Sequence, residues 1–330
     1  MAEALLEVTD LTIDYLTEAA DVRAVNRVSF TVHSGEFLGI VGESGCGKST
    51  LLFGVAQLLS PPGEVVGGQA VFHDRDMVKL DREELRHMRW RDYSVVMQSA
   101  MNALNPMKSI GAQFKDTLRA HGNASSEEIT QRSEEVMGLV GIDAAHLASY
   151  PHQLSGGMRQ RAMIAMAPLY TPQLVIMDEP TSALDVVAQR SLMSKIKDLQ
   201  HGLGFAVIFV THDMSVVSRY SDNVIVMYAG EIAEAAATDT IFRRPLHPYT
   251  RGLMSALPSV TGPRKELIGI PGSPPDLARP PSGCRFNPRC PEVMPACLTD
   301  EPMLYRVGDD AVRCLLYAED AEAQRPTAAR

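Results

Sequence analysis

The chain has 330 residues, 45% of them hydrophobic, and 31 basic against 40 acidic side chains leave a formal net charge of −9. A single core rarely grows to that length, so two domains, or one large domain with an appendage, are expected. The acidic balance argues against nonspecific nucleic-acid binding, which needs a basic face, and no apolar run approaches the ~20 residues that span a bilayer.

The opening "MAEALLEVTD" is acidic and lacks the basic stretch of a secretory signal, so the chain reads as cytosolic. In that reducing compartment, clustered cysteines are more often metal ligands or catalytic thiols than disulfides. Phe37–Val41 is a short apolar strand, followed by a glycine-rich turn and a helical run from Lys48 to about Leu59. From Asn102 to Gln153 the pattern is helical without an apolar strand, as an inserted helical lobe would be. Leu174–Met177, Phe205–Val210 and Asn223–Tyr228 are further buried-strand candidates. Between the first two lies a helix beginning at Val186, with Gly202 as its expected C-cap. Strands alternating with helices predict an α/β sheet covered on both faces. After about Leu257 the texture changes: eleven of twenty-one prolines fall between Pro258 and Pro302, which predicts a separate loop-rich module and then a short acidic end.

The stretch "GESGCGKST" (Gly42, Glu43, Ser44, Gly45, Cys46, Gly47, Lys48, Ser49, Thr50) fits the spacing G-x-x-x-x-G-K-[ST], after a strand and at a helix start. Glycines let successive backbone N–H groups converge on an anion, and the helix N-terminus adds about half a positive charge. Lys48 is expected to reach the β- and γ-phosphates of a nucleotide and Ser49 to ligate Mg²⁺. Cys46 is a small side chain within this loop and carries no assigned chemistry.

"LVIMDEP" (Leu174–Pro180) ends an apolar run in two carboxylates at a strand tip. Alternation sends them in different directions, so Asp178 can hold Mg²⁺ through water while Glu179 faces an attacking water as general base. A strand-end turn with two solvated acids would look the same in isolation. "LSGGMRQR" (Leu154–Arg161) opens an amphipathic helix with Ser155, Gly156 and Gly157, which reads alone as a helix cap or as a second anion-binding end. One phosphate loop does not need a second such end unless it serves a neighbouring chain.

Placed about twenty residues before "MDEP", this segment resembles the signature motif of ATP-binding-cassette (ABC) ATPases. The resemblance implies a P-loop NTPase fold: a RecA-like core, an antiparallel β-subdomain and an inserted α-helical subdomain at about 102–165, all within residues 1–257. It implies that Tyr15 in "LTIDY" stacks on adenine and that Gln98 senses the metal and couples to a membrane partner. It further implies that Asp185 in "SALD" crosses a dimer interface and that His212 contacts the γ-phosphate. Two cassettes would sandwich two ATP molecules, each site drawing Ser155, Gly156 and Gly157 from the opposite subunit. Two departures stand out: Ser99 and Ala100 follow Gln98 where the family often has an acidic residue and proline, and Pro168 predicts a kink or end of the signature helix near Ala167.

The phrases "RRPLHPYTRGLMSALP", "IPGSPPDL" and "PPSGCRFNPRC" resemble the C-terminal extension of oligopeptide/dipeptide-importer ATPases, here residues 258–330 as a small irregular domain. Cys284, Cys290, Cys297 and Cys314 follow the spacing C-x₅-C-x₆-C-x₁₆-C. Zinc modules usually bring cysteines in closer pairs, so zinc fits less well. Four thiolates on an irregular loop suit an iron–sulfur cluster, and the resemblance implies a [4Fe–4S] cluster; free thiols are the third reading. A staple for a module too small to bury much core is its simplest role.

The expected function is thus ATP hydrolysis that drives an importer of di- or oligopeptides, from the cytoplasmic face of the membrane. The implied partners are a second, homologous ATPase subunit, two membrane permeases and an extracytoplasmic binding protein. Oligosaccharide or metal-chelate cargo would use the same machinery. A soluble ABC ATPase acting on DNA would carry a long coiled coil or a zinc module inside the cassette, one acting on ribosomes a second cassette, and a merely regulatory nucleotide-binding module would lack Glu179 or His212.

Overall fold

A computed structural model describes residues 3–18, 20–97, 104–122, 124–182, 184–256 and 269–319. In chain order its strands are β1 (Ala4–Tyr15), β2 (Val22–His33), β3 (Phe37–Val41), β4 (Gly63–Phe72), β5 (Arg75–Asp76) and β6 (Tyr93–Val96). They continue with β7 (Leu174–Asp178), β8 (Ala206–Thr211), β9 (Asn223–Tyr228), β10 (Glu231–Ala237), β11 (Tyr305–Val307) and β12 (Asp310–Val312). The α-helices are α1 (Lys48–Val55), α2 (Arg82–Met88), α3 (Ile110–His121), α4 (Ser126–Leu139) and α5 (Gly156–Met166). They are followed by α6 (Val186–Leu203), α7 (Met214–Tyr220), α8 (Thr238–Arg243) and α9 (Pro248–Ser255). The described chain separates into two compact units.

One unit is built on Lys79–Val210 with Val32–Phe37. β6 pairs with β7, and β7 with β8, all parallel and in register from Tyr93↔Leu174 and Leu174↔Ala206 onward. Every residue of β7 and β8 is buried, which explains why both read as unbroken apolar runs rather than alternating ones. Phe37 and Phe209 meet edge to face with centroids 5.3 Å apart, an arrangement aromatic quadrupoles favour. The helices start on local chemistry: Ser109 caps α3, and Ser125 with Glu128 forms a capping box on α4.

Helix α5 ends at Met166 and passes into a 3-10 turn, Ala167–Tyr170, at the proline where the sequence places its end. Proline has no N–H to continue the ladder and crowds the preceding turn. Arg132 of α4 donates to the carbonyls of Pro168 and Leu169, satisfying groups that the helix leaves behind.

Two expected helix ends move. Helix α6 runs through Gly202 and stops on Gly204, whose φ of 77° makes it the left-handed cap. Helix α1 stops at Val55 rather than near Leu59. Leu58 N–H donates to Phe53 O at 2.8 Å and Gln57 N–H to Gly54 O at 3.2 Å, with Gln57 at a φ of 53°. This is a Schellman ending in which glutamine occupies the place glycine usually takes, so the apolar run continues past the helix and hides the stop.

The other unit holds Leu6–Thr31, Leu38–Val78 and the chain from Thr211 onward. One of its sheets is antiparallel, in the order β2-β1-β4-β5. In the other, β3 pairs parallel with β9 from Leu38↔Asn223 to Val41↔Val226. β9 and β10 form a hairpin through Ala229 and Gly230, with φ of 47° and 83°, the double positive φ that a two-residue hairpin turn requires. β12 adds antiparallel to β10 through Glu234↔Val312, and β11 pairs with β12. The tail therefore contains a short hairpin where the sequence predicts a loop-rich module. Three-residue strands carry too little periodicity to be seen without their partner.

Candidate functional site

The phosphate-loop candidate begins where the wholly buried β3 ends. Gly47 caps α1 at a φ of 100°, and a Cβ there would sit 2.2 Å from the Ala24 carbonyl oxygen. Gly42 is equally confined, its Cβ position lying 2.2 Å from the Met227 carbonyl oxygen. Ser44 and Gly45 are exposed. Lys48 is 6% exposed, and its Nζ donates to the carbonyls of Gly42 at 2.8 Å and Glu43 at 2.9 Å, with Cys46 Sγ at 3.7 Å. The loop thus folds around its own ammonium group, a cation against which a polyphosphate can be laid. Burial pushes the Cys46 thiol up, with the Lys48 charge opposing it. Ser49 is half-buried, and Thr50 Oγ1 shares a 3.2 Å hydrogen bond with the hydroxyl of Tyr15 from β1.

Asp178 is the last residue of β7 and 2% exposed. Glu179 follows it at a φ of 44° and donates its N–H to Val210 O at 3.0 Å. A non-glycine residue in the left-handed region costs about 1 kcal/mol or more, so the surrounding structure must hold Glu179 there. Gln160, buried in α5, donates from its side-chain amide to the Pro180 carbonyl, so the signature helix is tied to the chain just beyond the two carboxylates. Ser155 caps α5, its hydroxyl accepting from Met158 N–H at 3.3 Å. A Cβ on Gly157 would meet nothing within 4 Å, so the chain's own packing does not require glycine there. Asp185 caps α6, accepting from Val187 and Ala188 N–H, each at 2.9 Å, beside the exposed Val186 and Val187. His212 is exposed directly after β8. Gln98 lies outside the described residues.

Residues 25–182 match the ABC transporter family model, and residues 233–297 match the C-terminal region of oligopeptide/dipeptide transporters. The dipeptide transport ATP-binding protein DppD of Caldanaerobacter subterraneus subsp. tengcongensis is 40% identical over 96% of this chain and 98% of that relative. The oligopeptide transport ATP-binding protein OppD of Salmonella typhimurium is 42% identical over 92% of this chain and 90% of that one. This chain belongs to the ATP-binding proteins of ABC transporters. A solved post-hydrolysis dimer of the cassette MJ0796, bound to ADP and Pi, is 28% identical with a TM-score of 0.63, covering 71% of this chain and 98% of that chain.

As an ABC ATPase, the chain works on ATP with Mg²⁺. The hard oxygen donors that a hydroxyl and a carboxylate offer are the kind this ion takes. Among the described residues no helix is long and apolar enough to cross a membrane.

In the C-terminal region of this ABC ATPase, two of the four tail cysteines meet through their backbones. Cys284 N–H donates to Cys297 O at 2.9 Å. Gly283, at a φ of 66°, would place a Cβ 2.4 Å from that same carbonyl oxygen, so the close turn admits only glycine. All four are free thiols, and Cys297 and Cys314 are buried. Burial pushes the Cys284 thiol up to about 11, and the charges of Cys297 and Cys290 add to it. Burial also pushes Cys314 up to about 12, with Cys284, Cys290 and Cys297 all contributing. Among the described residues, no group of three or more His, Cys, Asp or Glu side chains is gathered closely enough to hold a metal ion.

Three residues escaped the sequence reading: Gln160, Tyr249 and Arg289. Tyr249 Oη accepts the Glu43 N–H at 3.0 Å, and Arg289 pairs with Glu43. Gln160 lay inside the signature motif itself; the other two carried no local signal, since their partner is more than 200 residues away.

Proposed function

We propose that this chain hydrolyses ATP to power the import of di- or oligopeptides. The observation that carries the chemistry is Lys48 Nζ, buried and held by the Gly42 and Glu43 carbonyls at the mouth of α1. Peptide cargo follows the names of the DppD and OppD relatives, which span nearly the whole chain including its C-terminal region.

In this reading the cassette is residues 1–257, with a helical subdomain at about 102–165, and the importer-specific extension is 258–330. One chain supplies Lys48, Ser49, Gln98, Asp178, Glu179 and His212 to each nucleotide, with Tyr15 against the base. The partner subunit's copy of the Ser155–Gly157 segment closes the site. The open space over Gly157 and the exposure of Ser155 leave that segment free to meet a second chain's phosphates. Asp185, with exposed Val186 and Val187, lies on the same dimer seam. Lys48 and the loop amides orient and neutralise the triphosphate, Mg²⁺ when bound adds charge neutralisation, and Glu179 accepts a proton from the attacking water. The partners are a second, homologous ATPase subunit, two permeases on whose cytoplasmic side the chain docks peripherally, and an extracytoplasmic binding protein.

The four tail cysteines are read as ligands of a [4Fe–4S] cluster. Support comes from the all-thiol donor set.

Glu179→Gln in the assembled transporter tests the hydrolytic assignment. Turnover is expected to fall at least about 100-fold while ATP stays bound and the two ATPase subunits stay closed. Retained turnover would remove Glu179 from its role.

A further inference from the structure

One arginine of the cysteine region reaches back to the phosphate loop, and a second reaches the hairpin turn that bonds to it. Arg289, immediately before Cys290, has a side chain only 5% exposed. It grips Glu43 at two points, Nη1 to Oε2 at 2.6 Å and Nη2 to Oε1 at 2.9 Å. Its Nε donates to Pro271 O at 2.8 Å and its Nη1 to the Tyr228 hydroxyl at 3.4 Å, so the guanidinium is held from several sides. Arg285, immediately after Cys284, donates to the Ala229 carbonyl and pairs with Glu231 at 3.3 Å. The next residue of that hairpin turn, Gly230, donates its N–H to Cys46 O at 2.9 Å. The segment that carries the cysteines is therefore fastened to both legs of the loop.

Glu43 is the one acid in Gly42–Thr50. A carboxylate beside a triphosphate opposes binding, and at short range near a protein surface that repulsion is substantial. A planar guanidinium answers this twice, cancelling the charge and fixing the carboxylate's direction through two parallel bonds. The Glu43 backbone is fixed as well, through its N–H to Tyr249.

We propose that Arg289 is a positioning residue of the nucleotide site: it holds Glu43 neutralised and turned onto the cysteine region, so that the loop receives the triphosphate without a competing anion. The inference rests on reading Gly42–Thr50 as the triphosphate cradle. It makes the C-terminal region a determinant of nucleotide affinity rather than only an appendage.

The test is the Kd of trinitrophenyl-ATP with Mg²⁺ for the full-length chain, at low and high salt. Arg289→Gln exposes the unpaired carboxylate and is expected to weaken binding about tenfold, less so at high salt. Glu43→Gln removes the anion and leaves the cation, so binding is expected to tighten about threefold. Arg289→Gln with Glu43→Gln is expected to return within about twofold of wild type. Opposite shifts followed by recovery are the signature of charge; a mere staple would lose affinity in both single variants and more in the double. That pattern, or a Glu43→Gln protein no tighter than wild type, overturns the proposal, and it remains decisive even if Arg289→Gln does not fold. A wild-type chain that binds no nucleotide defeats the cradle reading and this inference together. Tight wild-type binding with Arg289→Gln unchanged defeats this inference alone.

Discussion

The side-chain amide of Gln160 donates to the backbone carbonyl of Pro180, the residue after Glu179. A residue on the signature helix thereby fixes the peptide that follows the proposed base, whose φ of 44° leaves it little tolerance. Gln160 is 5% exposed, so the bond is made away from water. Gln160→Leu is expected to cost about 1–2 kcal/mol of stability, because a buried carbonyl loses its donor. Turnover in the assembled transporter should fall more than ATP affinity does. Urea denaturation and a split of kcat from KM check the two halves, and an unchanged kcat in a destabilised protein would reduce the contact to packing.

Gly47 tests the loop's backbone. Alanine there would drive a methyl group to 2.2 Å from the Ala24 carbonyl oxygen while holding a φ of 100°. Both faults act together, so Gly47→Ala is expected to cost about 3 kcal/mol or more and to abolish ATP binding. Gly45→Ala is the informative control. Its Cβ would meet nothing within 4 Å, leaving only the backbone cost of a φ of 78°, about 1 kcal/mol. Equal losses in the two proteins, read by urea denaturation, would refute the clash.

His247 gives the fold an acid-sensitive joint. Its Nδ1 accepts the Tyr249 N–H at 3.0 Å and its own N–H donates to the carboxylate of Glu234 at 2.9 Å. Burial pushes the imidazole down from 6.5 to about 3, with the charges of Arg251 and Arg313 pressing the same way and a bond to the Arg313 backbone opposing. The unfolded chain therefore takes up this proton first. Stability is full above the ordinary histidine value and drains as pH falls from there toward about 3, by at most about 1.4 kcal/mol per unit. Glu234, whose carboxyl is pushed up by burial, works in the other direction, stabilising the fold as acid is added. His247→Asn leaves Glu234 in place and keeps a capping side chain. It should flatten the fall in melting temperature below neutral pH, whereas parallel curves for the two proteins would clear His247 of the effect.

The cluster assignment is checked on full-length protein prepared without oxygen. Iron, acid-labile sulfide and broad visible absorbance should appear together and vanish in Cys290→Ser. Zinc bound to a colourless protein would replace the cluster with a zinc site, and metal-free thiols would leave the region held by its hydrogen bonds alone.

What the sequence made legible follows the range of the interactions involved. Val41–Thr50 spells its structure within ten residues, because strand end, glycine-rich turn and helix start are contiguous. Pro168 announced the end of α5 by its own chemistry. Gln57 and Gly204 did not: a glutamine in a left-handed cap gives no signal, and of two nearby glycines only the fold selects the second. The pair Glu43 and Arg289 spans 246 positions, and nothing near either residue points to the other. The same holds for β12, whose partner β10 lies more than seventy residues earlier.

That late strand has one more consequence. By lying along β10, β12 covers a row of amides and carbonyls that would otherwise face solvent as a template for another chain. What remains at the rim is β11, three residues long with Arg306 at its centre, a poor seed for further pairing. Cutting the tail away would therefore do more than delete four thiols: it would uncover an adhesive border and turn a well-behaved subunit into one prone to clumping.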